Sequence, residues 1–321
     1  ILGTGSAVPV KSISNHELAG MVDTSDEWIV SRTGISSRRI SSGETMTQLC
    51  IDSSLLALEN AGVAPVELDL IICATIGGDY ITPSQASLIQ SGIGASCPAF
   101  DLNAACSGFI YALDAAYAYF QAGRAEKILV VAYDTLSKFV DWTDRNTCVL
   151  FGDGGGAVVL GKGDDLLGIR LTSEGNADIL NIPCNNESPF GSEGVSKQFL
   201  QMNGQEVFKF AVSRIVSETT ALLEECGITK DDVDLVLLHQ ANIRIINSAR
   251  QKLGMPEEKF MSNLSRYGNT SAGSIPVLLD ELNRDGVLKQ GQMIALVAFG
   301  GGLTTGACLL RWSRTNNQKI N

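Results

Sequence analysis

The chain has little with which to hold a metal. Its 321 residues include two histidines, His16 and His239, and eight cysteines at positions 50, 73, 97, 106, 148, 184, 226 and 308, none in a CxxC pair. Zinc or iron–sulfur ligation needs closely spaced thiolates and imidazoles and is not expected. Positive charge is also scarce: 24 Lys and Arg against 35 Asp and Glu leave a net charge of −11. Nucleic acid is therefore a poor partner, because phosphate binding needs a strong positive field. A local basic patch for an acidic partner stays compatible with that charge. No stretch reaches membrane-spanning length without charge or glycine, and the opening ILGTGSAVPV lacks a basic flank and is too short for a signal or a span. Cysteines in apolar runs such as Ile71-Ile72-Cys73-Ala74 fit reduced, buried thiols, and the expectation is a cytoplasmic protein.

What the chain does have is 45% hydrophobic residues, 33 glycines and only 18% charged residues, the profile of a compact α/β enzyme. Residues 1–10 read as a strand and Asn15 to Val22 as a helix. The run Asp23-Thr24-Ser25-Asp26-Glu27-Trp28 reads as a capped helix start, with Glu27 three residues after Thr24, and that helix ends near Thr33-Gly34. Thr45–Ala61 is an amphipathic helix closed by Gly62. Leu68–Thr75 is a buried strand, and 77–92 a loop leading into a helix.

The stretch Asp101–Gly123 organises the rest. A short apolar strand, PAFDLN, passes through Ala104-Ala105-Cys106-Ser107-Gly108 into a long apolar helix. A cysteine at a strand-to-helix junction meets outward-pointing amides and the positive end of the helix dipole, which favours a thiolate. Taken alone, a buried core cysteine is the commoner outcome, and Cys73, Cys148 and Cys308 keep that reading.

A duplication supplies the missing partners. The segment 57–63 (ALENAGV) is answered by 222–228 (LLEECGI) at an offset of 165, and Leu68-Asp69-Leu70-Ile71-Ile72 by Val233-Asp234-Leu235-Val236-Leu237. At the same offset Gly108 matches Gly273, and 127–132 matches 292–297. The first half then carries an extra segment near 135–150 before its glycine-rich strand. Two halves, 1–163 and 164–321, each of βαβ character, follow from this. The offset puts His239 where the first half has Ala74 and Ser271 opposite Cys106. If the halves pack by pseudo-two-fold symmetry, Cys106, His239 and Asn269 converge.

Four segments, Ala104–Phe109, Leu238-His239-Gln240-Ala241-Asn242, Tyr267-Gly268-Asn269-Thr270-Ser271-Ala272 and Phe299-Gly300-Gly301-Gly302-Leu303, resemble in order and spacing the β-ketoacyl-acyl-carrier-protein synthase III family. So do DTSDEW at 23–28, Arg32-Thr33-Gly34-Ile35, Thr143-Asp144-Arg145 and Phe151-Gly152-Asp153-Gly154. The resemblance covers essentially the whole chain. It implies an α/β thiolase-like fold, a five-layer αβαβα sandwich of two duplicated βαβαβαββ halves, in a homodimer. It implies an acyltransferase that starts fatty-acid biosynthesis by decarboxylative condensation of an acyl-CoA, acetyl-CoA first of all, with malonyl-acyl carrier protein.

Residue by residue, the resemblance makes Cys106 the acyl-carrying nucleophile, and His239 and Asn269 the donors that stabilise the enolate left by decarboxylation. The backbone amides of Cys106 and Gly301 become the oxyanion hole, and coenzyme A is a substrate, with no metal or cofactor. Trp28 and Arg145 would sandwich the adenine. Arg32 and Arg244 would meet phosphates or the pantetheine arm, and Thr24, Phe208, Ala241 and Asn242 would line the tunnel. Leu136, Phe151, Leu200 and Phe299 would line the acyl pocket, with Thr82 entering across the dimer. The small Thr82 leaves room for starters longer or more branched than acetyl. Lys209, Arg214, Arg244, Arg250 and Lys252 would form the patch that meets the carrier protein. The chain departs from common family choices at Asn146, Gln205 and Thr305, which bears on contacts rather than on the reaction.

Other readings fit less well. A degradative thiolase needs a second cysteine where Ala298-Phe299 stand, and elongating synthases use two catalytic histidines, whereas His16 lies in an N-terminal helix pattern. Plant-type polyketide synthases share Cys-His-Asn but are longer. A secondary-metabolite acyltransferase of the same family is the enzymatic alternative, and a non-catalytic acyl-thioester-binding protein the alternative from another class.

Overall fold

The computed structural model describes residues 1–184 and 199–314. In the first half, β1 (Gly3–Ala7) is followed by β2 (Ser12–Ser14), α1 (Asn15–Ala19), α2 (Asp26–Thr33) and β3 (Ser37–Arg39), with β2 and β3 antiparallel. Then come α3 (Met46–Ala61), β4 (Leu70–Ala74), α4 (Gln85–Ile93), β5 (Ala99–Leu102), α5 (Gly108–Gln121), β6 (Lys127–Thr135) and β7 (Asp153–Gly161). The second half runs β8 (Leu166–Asn176), β9 (Leu180–Asn181), β10 (Gln201–Met202), α6 (Gly204–Cys226), β11 (Leu235–Leu238), α7 (Ile243–Leu253), α8 (Leu264–Tyr267), α9 (Ser274–Arg284), β12 (Met293–Gly300) and β13 (Gly302–Arg311).

One sheet has the order β1-β7-β6-β4-β5 and the other β11-β12-β13-β8. Setting aside the small elements, the first half is βαβαβαββ. The second repeats it with one loss: the counterpart of β5 shrinks to a single bridge between Val236 and Phe260. Every strand of the first sheet lies within residues 3–161 and every strand of the second within 166–311.

Strand alternation builds the layers, because successive side chains of a strand point to opposite faces. Leu70, Ile72 and Ala74 of β4 and Ile128, Val130 and Ala132 of β6 face a central core. Ile71, Cys73, Leu129 and Val131 face an outer one with α3 and α4. In the second half Leu235, Leu237, Ile294 and Leu296 face the same centre, while Val236, Leu238, Ala295 and Val297 face outward to α6 and α7. The buried faces of α5 (Phe109, Ile110, Leu113, Ala116) and α9 (Ile275, Leu278, Leu279, Leu282) meet in that centre. The five-layer αβαβα sandwich follows, and Cys73, Cys148 and Cys308 are fully buried within it.

Local signals behave as their chemistry dictates, with two shifts. Thr45 caps α3 through Gln48 N–H, and Gly62 closes it at φ +66°. For α2, however, the cap is Ser25, whose hydroxyl accepts from Trp28 N–H, and not Thr24. Both residues are three short of a polar or aromatic N3 position, and backbone geometry chooses between them. The duplication is also not free of gaps. Leu70 pairs with Ile128 and Leu235 with Ile294, so the second half is one residue longer between its parallel strands. The offset is therefore 165 at the first strand and 166 by the helix. Ala105, not Cys106, is the counterpart of Ser271: both sit at positive φ, +47° and +53°, at the start of matching 3₁₀ turns, Ala105–Ser107 and Ser271–Gly273.

Candidate active site

Cys106 stands in the 3₁₀ turn between β5 and α5. A non-glycine residue at positive φ is strained, and neighbours hold Ala105 there: Asn103 Oδ1 accepts from its amide at 3.1 Å, and Ser107 Oγ donates to Ala104 O at 2.8 Å. The sulfur lies in a cleft of about 2050 Å³ whose walls include His239, Asn269, Ser271, Gly300 and Gly301. Ser271 Oγ is 3.4 Å from Cys106 Sγ. The expected low thiol pKa is not found. Burial pushes the thiol up to about 12, against the pull of the Ser271 hydroxyl and the residue's own amide. The turn sets the sulfur before α5, inside the protein, where desolvation of a thiolate outweighs the helix dipole. The resting group is a thiol, half-open to the cleft.

His239 follows the end of β11, and its amide continues the ladder to Val297 O at 2.8 Å. The side chain is 1% exposed. Ser274 Oγ accepts from Gln240 N–H at 3.3 Å and lies 2.7 Å from His239 Nδ1. The hydroxyl proton has no other acceptor among the described hydrogen bonds, so it is assigned to Nδ1, which places the ring proton on Nε2. Phe299 packs edge-on against the ring, centroids 5.2 Å apart. Burial pushes the imidazole down to about 3, so His239 is neutral at physiological pH. Asn269 is tied by its backbone to Leu150 and Gly152, and its Oδ1 accepts from Ser271 N–H at 2.9 Å. The amide NH₂ is thereby left to donate into the cleft.

The turn joining β12 to β13 completes the floor. A Cβ on Gly300 would lie 2.6 Å from Cys106 N, so only glycine lets this backbone approach the cysteine amide. Thr304 Oγ1 lies 3.0 Å from both Ala104 O and Gly301 O and 2.7 Å from Ser107 Oγ, fastening the two turns together. The cysteine, histidine, asparagine and Gly301 expected from the sequence are thus brought to one cleft. Ser271, Ser274, Gly300 and Thr304 were missed. The stretch Gly268–Ser274 carried the only hint, as the counterpart of the cysteine turn.

Further out, Trp28, Arg32, Phe208, Ala241, Asn242 and Arg244 line the cleft, whereas Thr24 and Arg145 are not on its wall. Asn242 caps α7 and reaches Arg32 O at 3.1 Å, and the Arg244 guanidinium covers the Phe208 ring at 5.8 Å. The expected adenine sandwich is closed: Arg145 lies 5.4 Å over the Trp28 ring and donates to Asp23 O at 2.9 Å. A third planar group between them needs about 7 Å, two contacts of roughly 3.5 Å each. Arg145 must swing aside before anything stacks on Trp28.

Leu136, Phe151, Leu200 and Phe299 line the inner cleft together. Thr82 is exposed and does not reach this chain's own cleft, where the wall is formed by 76–81. The five basic residues are not equivalent. Lys209 pairs with Glu206, Arg214 with Glu174 and Glu218, and Arg250, one-fifth exposed, with Glu257. Arg244 and Lys252 make no ion pair among the described residues, so most of the expected positive field is cancelled locally.

Comparison with known proteins follows the geometry. Two family models match: 3-oxoacyl-[acyl-carrier-protein] synthase III over residues 100–175, and the C-terminal part of the same enzyme over 223–312. The chain is 48% identical over 320 residues to a β-ketoacyl-[acyl-carrier-protein] synthase III of Clostridium acetobutylicum, covering 98% of each. A solved β-ketoacyl-[acyl-carrier-protein] synthase III of Thermus thermophilus superposes with a TM-score of 0.92 at 42% identity, covering 98% of this chain and 99% of that one. The priming β-ketosynthase of the R1128 polyketide pathway superposes with a TM-score of 0.91 at 35% identity, covering 98% and 96%.

Proposed function

The chain belongs to the 3-oxoacyl-[acyl-carrier-protein] synthase III family and is a condensing acyltransferase that joins an acyl-CoA to malonyl-acyl carrier protein at the start of fatty-acid synthesis; we propose that its cleft divides the work as follows. The Cys106 sulfur attacks the starter thioester, acetyl-CoA being the starter assigned here. An S–C bond forms, the bond to the CoA sulfur breaks, and the thiol gives up its proton. Malonyl thioester then loses CO₂, and the electron pair of the broken C–C bond passes into an enolate. Its oxygen takes hydrogen bonds from His239 Nε2–H and the Asn269 NH₂, both neutral donors on buried side chains. The enolate carbon attacks the acyl group on Cys106. The tetrahedral oxyanion rests on the Cys106 and Gly301 amides until the sulfur leaves and is reprotonated.

The observation that carries this reading is the neutral His239, held by Ser274 with Nε2–H free, in the same cleft as the acylable thiol. The departing CoA thiolate takes a proton from water, no step changes an oxidation state, and side-chain and backbone donors meet each developing charge, so the reading calls for no metal or redox group. It includes a homodimer in which β5, an edge strand of its sheet, pairs with its symmetry mate and Thr82 enters the partner's acyl pocket. A cytoplasmic setting suits the buried thiols; no described helix is long and apolar enough to cross a membrane. Arg244 and Lys252 are the cations left to meet an acidic carrier, and Trp28, Arg32, Phe208 and Asn242 the surface for CoA.

One set of variants tests the division. Cys106→Ala is expected to abolish covalent labelling by acetyl-CoA while malonyl decarboxylation persists. His239→Ala and Asn269→Ala are expected to keep labelling and lose decarboxylation by about 100-fold or more. Label retained by Cys106→Ala would refute the scheme, and a wild type that binds acyl-CoA without labelling or condensing would mark a binding protein.

A further inference from the structure

Asp134 is a fully buried carboxyl that the scheme above does not use. It continues the row Ile128, Val130, Ala132 of β6 that faces the central helices, so period-two alternation aims it at the two 3₁₀ turns. Those turns press against it closely: a Cβ on Gly273 would lie 2.4 Å from Gly154 O, and Gly154 is the residue paired with Asp134. Oδ1 is satisfied by Thr75 Oγ1 and Ile76 N–H, both at 2.9 Å. Oδ2 is buried and has no partner in hydrogen-bond geometry. The groups that next approach the carboxyl are the Ser271 hydroxyl and the Ala272 amide. The first of these is the hydroxyl that touches Cys106 Sγ. Two thiols, Cys106 and Cys73, feel the charge of Asp134, and no cation balances it among the described residues.

A buried carboxylate oxygen without a partner is costly, and proteins keep one where it has work to do. We propose that Asp134 is the proton acceptor for Cys106, working through the Ser271 hydroxyl. At rest the Ser271 hydroxyl donates to the sulfur across 3.4 Å. As the sulfur attacks the thioester, that hydroxyl turns to Asp134 Oδ2, gives up its proton there and takes the thiol proton in its place. The S–C bond forms, the CoA sulfur leaves as a thiolate, and water protonates it outside. When condensation releases Cys106 as a thiolate, the proton on Asp134 returns by the same two hops. The ledger closes: one proton leaves the sulfur in the first half-reaction and one comes back in the second.

The arrangement answers a difficulty of the site, because a thiol pushed up by burial needs a nearby base and His239 is engaged by Ser274. Burial raises the Asp134 carboxyl to about 6, while Ser271, Ile76, Thr75 and Ala272 pull against it, so at neutral pH it is ionised and ready to accept a proton.

The proposal rests on Cys106 as the acyl carrier, and the test keeps the two apart. Acetylation of Cys106 by acetyl-CoA is followed in single turnover by mass spectrometry, from about pH 5 to 8, in the wild type, Asp134→Asn and Ser271→Ala. The wild-type rate is expected to rise with pH through about 6, as the carboxyl ionises. Both variants are expected to lose that rise and to fall roughly 100-fold at pH 7. Alanine suits position 271, since Ala105 holds the equivalent backbone at φ +47°, so Ser271→Ala decides the matter if Asp134→Asn fails to fold. Acetylation of both folded variants within about threefold of the wild type, with an unchanged pH profile, overturns the relay and leaves the condensing scheme intact. A wild type that takes no label on Cys106 overturns both.

Discussion

Ser274 shows how a residue that never meets the substrate sets the chemistry of one that does. Its hydroxyl accepts from Gln240 N–H and so has its proton free for His239 Nδ1. Ser274→Ala removes the group that selects the Nε2–H tautomer. Malonyl decarboxylation should fall about tenfold while acetyl labelling of Cys106 persists, in line with losses seen when partners of functional histidines are removed. With the ring pushed down to about 3 by burial, its neutral form prevails above that pH. Decarboxylation by Cys106→Ala should then show no inflection near 6.5 between pH 5 and 8; a fall below 6.5 would mean that His239 titrates. The nucleophile, His239 and Asn269 were legible because the duplication set their segments opposite one another and the ordered motifs around them resemble a known family. Ser271, Ser274 and Asp134 were not, since serine at a helix start is ordinarily a cap and a single aspartate after an apolar strand is ordinarily a turn residue.

Between elements, close backbone approach does what side chains do elsewhere. Gly3 and Gly5 of β1 lie against α3 so tightly that a Cβ on Gly5 would be 2.3 Å from Ser53 O and 2.5 Å from Ala57 N. Both neighbours are helix backbone, which cannot turn aside as a side chain can. Gly5→Ala should therefore lower stability by about 3 kcal/mol, read as a reduced denaturant midpoint at unchanged slope. An unchanged midpoint would show that α3 slides away at little cost. The strand–helix order and the caps of α3 were readable because Thr45, Gly62 and an apolar face mark them locally. The one-residue lengthening of the second half was not, because it lies in the segment where β5 has only a single bridge as its counterpart and the two sequences no longer match. The strand registers, Leu70 with Ile128 and Leu235 with Ile294, and the matching left-handed residues Ala105 and Ser271 reveal it.

At the scale of the molecule, β5 is left as an edge strand beside the cysteine turn, next to a loop where Tyr80 is 61% and Ile81 fully exposed. An unpaired edge flanked by large apolar groups invites a partner. Sedimentation equilibrium should give twice the 34.1 kDa of one chain, and a monomer at micromolar concentration would reject the dimer and the role given to Thr82. The sequence by itself determined the duplication and the βαβ halves, since alternation, capping and spacing are local properties that survive in one dimension, and its resemblance to a known family supplied the layer order and the site residues. The tertiary structure alone decided that the thiol is protonated, that Arg145 closes over Trp28, that three of five basic residues are spent on carboxylates, and that Asp134 stands behind Ser271. Each of these depends on desolvation or on distances between segments far apart in the chain, and neither is written in any stretch of sequence.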